Sequence, residues 1–145
     1  MRSRGAIPFS RFMELALYCP EYGFYEAERD ITGRRGDFYT SVSVGPLFGE
    51  LLGYQFCEWL KASGGDSAVP RLVEAGAHDG QLAADILGWT RERRPEVFSR
   101  LEYWILEPSV RRRAAQERRL GDYRGKVLWA KDFAELSSLR EAGPT

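Results

Sequence analysis

The sequence is poor in the residues that build metal centres and disulfide scaffolds. Its 145 residues include one histidine and two cysteines. Cys19 and Cys57 lie far apart in apolar or aromatic surroundings, which predicts two buried thiols in a reducing compartment. The single His78 is too few for the usual zinc ligand sets. We therefore expect neither a disulfide framework nor a bound metal.

An excess of either charge and a long apolar run are also missing. Lys and Arg together number 21, as do Asp and Glu, and the pI is about 6.6. This balance gives no overall field that would favour nucleic acid or an anionic membrane. No apolar run approaches the ~18 residues of a spanning helix, and the N-terminus lacks the apolar core of a secretory signal. We expect a globular protein of the cytoplasm.

The first half of the chain predicts a region of helices and loops, residues 1–65. Ser10 is expected to cap a helix over residues 11–18. A stretch rich in Gly, Arg and Asp, residues 23–41, follows as an irregular loop. Apolar residues at helical spacing over 47–60 then predict a longer helix with a broad apolar face.

The second half, residues 66–145, alternates strand and helix patterns. Such alternation predicts an α/β fold in which crossover helices connect parallel strands. We interpret it as the first half of a Rossmann-like domain that stops after its third strand. The predicted strands are 72–75, 101–107 and 126–130, the predicted helices are 81–93 and 109–120, and residues 132–145 form a short helix or turn.

A glycine turn connects the first predicted strand to its helix. The stretch "VEAGAHDGQLAADIL" contains Glu74-x-Gly76-x-His78-x-Gly80. The dinucleotide fingerprint and the phosphate loop ending in G-K-[ST] are both absent. The turn matches the looser acid-x-Gly-x-Gly-x-Gly pattern of Rossmann-like methyltransferases, in which a glycine usually occupies the place of His78. An ordinary glycine turn of any α/β protein is an equally open interpretation.

Polar residues also follow the other two strands. Glu107 is placed where an acid can accept hydrogen bonds from both hydroxyls of a ribose, although a solvated acid at a strand end is the simpler reading. Asp132 could accept the exocyclic amine of an adenine while Phe133 packs on the ring. Alternatively, Asp132 is the N-cap of a helix. Because parallel strands end at one edge of a sheet, a nucleoside-type ligand is favoured over chance.

Three stretches together carry a family resemblance. "FMELALYCPEYGFYE", "GDFYTSVSVGPLFGELLG" and "RLVEAGAHDGQLAADIL" occur in this order, and the chain resembles the MidA-like class I methyltransferases. That family includes the mitochondrial complex I assembly-factor arginine methyltransferase. The resemblance implies a fold that uses S-adenosyl-L-methionine, a protein substrate and transfer of a methyl group to an arginine. It also implies a mitochondrial location if the chain is eukaryotic.

The resemblance also implies roles for individual residues. The family form of the second stretch is close to G-D-F-x-T-S-P-x-x-S-x-x-F-G-E. This chain has Val42 where that family motif has proline. Asp37 and Glu50 are the motif acids that could hold a substrate guanidinium, and they are the candidates for catalysis. The resemblance implies cofactor-binding roles for Gly36, Asp37, Thr40 and Ser41 in a covering loop, for Glu74, Gly76 and Gly80 in the turn, and for Glu107 after the second strand. The predicted cofactor-binding residues also include Ala77 and His78 of the turn, and Asp132 and Phe133 after the third strand.

A sheet of three strands in the order 3-2-1 would leave the first strand at an edge. Its unpaired backbone groups predict poor solubility or association into a homo-oligomer. We interpret the chain as a fragment, a truncated reading frame or half of an intertwined assembly. We would expect such a chain alone to be inactive.

Two other functions are compatible with the pattern. A methyltransferase fold that has lost its cofactor through His78 could serve as a non-catalytic scaffold for a partner protein. A nucleotide-binding or dehydrogenase-like domain is the second alternative, and the lack of the dinucleotide glycine pattern argues against it.

Overall fold

The computed structural model describes residues 5–26, 41–62 and 69–142. Contacts between Cα atoms divide the chain into two compact units, Met1–Ser43 and Val44–Thr145. The sequence suggested a division near residue 65. The contacts instead put the long helix Leu47–Ala62 in the same unit as the sheet, because this helix packs on the first helix of the α/β region.

The first unit contains helix α1, Phe9–Tyr18, and a 3₁₀ turn at Ser41–Ser43. The prediction that Ser10 caps α1 is wrong, because the helix already begins at Phe9 and its N-cap is Pro8. The Pro8 carbonyl accepts a hydrogen bond from the Phe12 amide at 3.1 Å, and no side chain caps this end. Ser10 therefore lies inside the first turn.

Three parallel strands form the sheet of the second unit, in the order β1-β2-β3. Ala75 pairs with Leu106 and Leu106 pairs with Ala130, so the three strands end at the same level. This arrangement confirms the predicted Rossmann-like class and strand order. The strands are β1 Arg71–Ala75, β2 Glu102–Leu106 and β3 Val127–Ala130.

Helices connect and flank the strands. The sequence pattern predicted no helix between residues 94 and 100, but Pro95 begins a short one there, in a first turn where a missing N–H costs nothing. Ser109 is an N-cap rather than a helical residue, since its Oγ accepts a hydrogen bond from the Arg112 amide at 3.3 Å. The helices are α2 Leu47–Ala62, α3 Gln81–Arg93, α4 Pro95–Arg100, α5 Val110–Arg119 and α6 Phe133–Ala142.

The two faces of the sheet pack against different apolar clusters. Side chains alternate between the faces along each strand, and Ile105 on the larger cluster is fully buried. That cluster includes Ala83, Ile86, Leu87, Leu101, Tyr103, Ile105, Leu120 and Val127. The smaller cluster on the opposite face consists of Trp104, Leu106, Ala130 and Leu136.

Helices α2 and α3 approach each other across two glycines spaced four residues apart. A Cβ atom added at Gly49 would lie 2.4 Å from the Cβ of Asp85, and one added at Gly53 would lie 3.1 Å from Cε3 of Trp89. Residues four apart share one face of a helix. The glycines of "FGELLG" therefore form the contact surface of α2 for α3.

The two thiols differ in exposure. Cys57 is buried, as predicted, and burial raises the pKa of its thiol. Cys19 is only partly buried, so the expectation of two buried thiols holds for one of them. None of the helices formed by the described residues has the length and apolar character needed to cross a bilayer.

We expect the free edge of β1 to cause self-association. β1 pairs with β2 on one side, the described residues supply no strand for its other side, and Val73 is 48% exposed. Because a lysine on an edge strand opposes strand pairing, Val73→Lys should raise the monomer fraction in sedimentation velocity. Val110→Lys, at a site 83% exposed on α5, is the matched control and should change nothing. A monodisperse parent chain with a cooperative melt would contradict this expectation.

Candidate cofactor site

The turn after β1 contains three alternate residues with left-handed backbone. The φ angles are +78° at Gly76, +49° at His78 and +85° at Gly80. This region of φ is open to glycine and disfavours most side chains, although histidine is enriched there among non-glycine residues. The alternating glycines of the motif therefore satisfy a backbone requirement, and His78 meets it at the middle position.

The two glycines of the turn have different surroundings. A Cβ atom added at Gly76 would meet no atom of the described residues within 4 Å, so none of them covers the backbone there. One added at Gly80 would lie 3.2 Å from Leu120 and 3.6 Å from Gln116. Gly80 thus permits close packing of the turn against the helix that follows β2, whereas Gly76 leaves surface accessible to a ligand.

The Asp79 carboxylate contacts both the first residue of α3 and the last residue of α5. One carboxylate oxygen accepts a hydrogen bond from the Gln81 amide at 3.2 Å, and the other lies 2.7 Å from the Arg119 guanidinium. The imidazole of His78, 3.6 Å away, and the Arg119 charge lower the pKa of Asp79 to about 2. An ion pair therefore joins the turn to the end of α5.

The pH dependence of stability tests this ion pair. Because the folded pKa of Asp79 lies below the unfolded value of about 4, its contribution is present above that value and disappears as the pH falls toward 2. The Asp79 side chain is 40% exposed, so screening limits the effect. We expect Asp79→Asn to lower the free energy of unfolding at neutral pH by about 0.5–1 kcal/mol. Urea titrations should show that this difference vanishes in acid, and a constant difference would contradict the assignment.

Glu74, the acid of the motif, is anchored in the packed face of the sheet. The Tyr103 hydroxyl donates a hydrogen bond to its carboxylate at 2.8 Å. Burial raises the pKa of Glu74, and burial together with the neighbouring acid also raises the pKa of Tyr103. Glu74 is half-buried and lies two residues before Gly76, the first glycine of the turn.

Glu107 follows β2 and is almost fully buried, at 7% exposure. One oxygen accepts a hydrogen bond from the Ser109 amide at 3.0 Å, and the other accepts one from the Gln116 amide group at 3.0 Å. A carboxylate offers about four acceptor positions. Each oxygen therefore retains capacity for one further donor, and the carboxylate is held in a fixed orientation.

Two roles were predicted for Asp132, contact with an adenine and the N-cap of a helix, and the structure shows the N-cap. Asp132 accepts a hydrogen bond from the Glu135 amide at 2.9 Å, so it is the N-cap of α6. Phe133 is 67% exposed beside it. A contact of Asp132 and Phe133 with an adenine stays a prediction.

The level strand ends bring the turn, Glu107 and Asp132 to one edge of the sheet. The Glu107 amide donates to the Ala130 carbonyl at 2.9 Å, which ties the second strand end to the third. Glu50 is half-buried in the first turn of α2. Of the predicted covering loop, Ser41 begins the 3₁₀ turn of the first unit, while Gly36, Asp37 and Thr40 lie outside the described residues.

The sequence profile of one protein family matches residues 51–143. The family is described as "putative S-adenosyl-L-methionine-dependent methyltransferase". The chain belongs to this family. Membership confirms the resemblance that the three sequence stretches indicated.

Two relatives of this chain are named as mitochondrial proteins. The chain is 42% identical over 102 residues to the protein arginine methyltransferase NDUFAF7 of Bos taurus, which covers 70% of this chain and 21% of the relative. It is 41% identical over 88 residues to the Homo sapiens protein of the same name, covering 60% of this chain and 19% of the relative. The chain thus spans about a fifth of the length of these relatives.

Solved structures share the fold. A Burkholderia thailandensis protein crystallised with S-adenosyl-homocysteine superimposes with a TM-score of 0.68 at 34% identity, over 87% of this chain and 33% of that protein. A native crystal structure from the same organism gives a TM-score of 0.64 at 34% identity, over 88% of this chain and 31% of that protein. This chain and the two solved structures therefore share a fold over most of its length.

Gln116, the residue that links the glycine turn to Glu107, was not identified from the sequence. Gln116 is fully buried and contacts both the turn and Glu107. The sequence feature that could have indicated Gln116 is an amide residue four positions before Leu120 on an arginine-rich helix. That spacing puts both side chains on one face, where an amide among apolar neighbours requires hydrogen-bond partners.

Proposed function

We propose that this chain forms the cofactor-binding part of a methyltransferase that transfers a methyl group from S-adenosyl-L-methionine to an arginine of a protein. The observation that carries the proposal is the fixed Glu107 carboxylate, which retains acceptor capacity at a strand end beside an open glycine turn. Two vicinal hydroxyls of a ribose are suitable donors for these acceptor positions.

The other residues of the edge fit the remaining parts of an adenosyl ligand. None of the described residues covers the backbone at Gly76, so as far as they extend a ligand can approach it closely. Phe133, exposed at the next strand end, offers an aromatic face for a base, and Asp132 lies beside it. We propose that the adenosyl group crosses from the turn over Glu107 towards these two residues.

The cofactor would supply an electrophilic methyl group on a positively charged sulfur. In the transfer, the S–CH₃ bond breaks, an N–CH₃ bond forms to the arginine, and the guanidinium loses one proton. The contribution of the protein is then alignment of the two groups and exclusion of water. Acids are required to hold the guanidinium and accept the proton, and Asp37 and Glu50 of the family motif are the proposed candidates.

The arginine acceptor and the location rest on the relatives. The NDUFAF7 proteins are named as mitochondrial protein arginine methyltransferases. We infer the same acceptor chemistry for the protein to which this chain belongs, and a role in complex I assembly if the host is eukaryotic. In a bacterium, the corresponding location would be the cytoplasm.

Calorimetric titration with S-adenosyl-homocysteine tests the proposal. We expect saturable one-to-one binding to the chain, and no binding of NAD under the same conditions. A flat titration with S-adenosyl-homocysteine would reject the cofactor site in this chain, and tight binding of NAD would favour a dinucleotide domain instead.

Replacement of His78 by glycine separates an enzyme from a scaffold that has lost its cofactor. Glycine accepts the left-handed backbone of this position and removes the imidazole. If the parent chain binds S-adenosyl-homocysteine, His78 is compatible with the cofactor and the scaffold hypothesis fails. If only His78→Gly binds it, the imidazole blocks the site and the scaffold hypothesis is the better one.

A further inference from the structure

We propose that Gln116 is a positioning residue for the adenosyl site, setting the orientation of Glu107 and the path of the glycine turn together. This inference rests on the proposed function, since it concerns the same ligand. No part of the glycine motif contains Gln116, which lies in the last turns of α5.

The Gln116 side chain forms hydrogen bonds to residues at or near the carboxyl ends of all three strands. Its amide nitrogen donates to the Glu107 carboxylate at 3.0 Å and to the His78 carbonyl at 2.9 Å. Its amide oxygen accepts from the Trp129 indole at 3.0 Å. One side chain with no solvent exposure therefore bonds to the turn after β1, the acid after β2 and a side chain of β3.

The orientation of this amide is fixed by chemistry as well as by packing. The indole N–H of Trp129 can only donate, so it must face the amide oxygen. Both amide N–H groups then point towards the two acceptors, the His78 carbonyl and the Glu107 carboxylate. A flipped amide would place donor against donor and acceptor against acceptor in a buried space, which is costly. The guanidinium of Arg113 lies 5.6 Å from the Trp129 ring centre and covers the indole.

This arrangement predisposes Glu107 for a ribose. Gln116 occupies one acceptor position of one oxygen, and the Ser109 amide occupies one of the other. These two hydrogen bonds prevent rotation of the carboxylate, so its remaining acceptor positions have a fixed orientation. His78, whose left-handed backbone is disfavoured for a side chain, is held through its carbonyl by the same amide. Loss of the amide should release both elements.

The experiment compares S-adenosyl-homocysteine with its 2′-deoxy analogue by calorimetry. The parent chain should prefer the natural ligand about tenfold, because the analogue loses one hydrogen bond to a charged acceptor. Gln116→Met keeps the length of the side chain and removes its hydrogen bonds. This variant should bind S-adenosyl-homocysteine about tenfold more weakly, while the analogue loses little affinity, so that the preference falls close to one.

Thr90→Val is the matched control, since it also removes a buried hydrogen bond, from Oγ1 to the Ile86 carbonyl at 2.7 Å. It should lower stability and keep the tenfold preference. Trp129→Phe is the second variant, for the case in which Gln116→Met fails to fold. It retains the aromatic packing and removes the donor that orients the amide, and it should also reduce the preference. The indole N–H resonance of Trp129, assigned through this variant, should shift in Gln116→Met without any ligand.

The outcomes separate the two proposals. If the parent chain does not bind S-adenosyl-homocysteine, the cofactor site and the role of Gln116 both fail. If the parent binds but shows no preference for the 2′-hydroxyl, or if Gln116→Met keeps the preference of the parent, the positioning role is overturned and the cofactor site stands. Loss of the preference in Gln116→Met or Trp129→Phe, with its retention in Thr90→Val, supports the positioning role.

Discussion

Glu107→Ala should reduce the affinity of the chain for S-adenosyl-homocysteine by about 1–3 kcal/mol, roughly a tenfold to hundredfold loss. The variant removes the acceptor proposed for the ribose hydroxyls. It also leaves the Ser109 amide and the amide group of Gln116 without their acceptor in a buried space. The free energy of unfolding should therefore fall as well, by about 1–3 kcal/mol. Calorimetry and urea titration measure the two effects separately.

Glu102→Ala is the control at the opposite end of the same strand. Glu102 forms a partly exposed ion pair with Arg71 at 2.7 Å, far along β2 from the carboxyl edge of the sheet. Pairs of this kind contribute about 0–1 kcal/mol, so stability should change little and ligand affinity should be unaltered. Equal losses of affinity in the two variants would show that the position of Glu107 has no special role.

Gly49→Ala should have the largest effect on folding of any single methyl addition described above. The added Cβ would lie 2.4 Å from the Cβ of Asp85, which is closer than two non-bonded carbon atoms can approach, so α2 must move away from α3. Overpacking of this kind costs about 1–3 kcal/mol or more. We expect a clear decrease of the urea midpoint, and a smaller one for Gly53→Ala, whose nearest neighbour is the edge of a tryptophan ring at 3.1 Å.

Gly121→Ala provides the comparison for Gly49→Ala. A Cβ atom at Gly121 would meet no atom of the part of the chain that the structure describes within 4 Å. The substitution therefore mainly restricts the unfolded chain and should be neutral or slightly stabilising, by up to about 1 kcal/mol. If Gly49→Ala and Gly121→Ala unfolded at the same urea concentration, the close approach of α2 and α3 would be wrong.

The strand pattern was the most predictable part of the molecule. Each strand is a short apolar run bounded by turn residues, and the crossover helices between them enforce a parallel sheet whose ends lie at one edge. Glu107 could be placed at that edge from its position after "YWIL" alone. The N-cap role of Asp132 was equally visible, because an acid directly before a helical pattern is the usual cap.

Features that depend on tertiary packing were not predictable. Proline can end a helix or begin one, so Pro95 gave no unique signal for α4. The left-handed backbone of His78 follows from the course of the turn rather than from the residue itself. The bonds made by Gln116 link positions up to 38 residues apart, and no local pattern indicates which buried donor will meet which acceptor.

The left-handed backbone at Gly76, His78 and Gly80 also determines which substitutions the turn can tolerate. At Gly80, any side chain would combine backbone strain with a tight contact to Leu120, so a saturation library selected for folding should be dominated by glycine. At Gly76 the strain acts without a tight contact to the described residues, and a few small polar residues should survive at low frequency. His78 is already an exception to glycine, and asparagine, aspartate and glycine should all be recovered in its place.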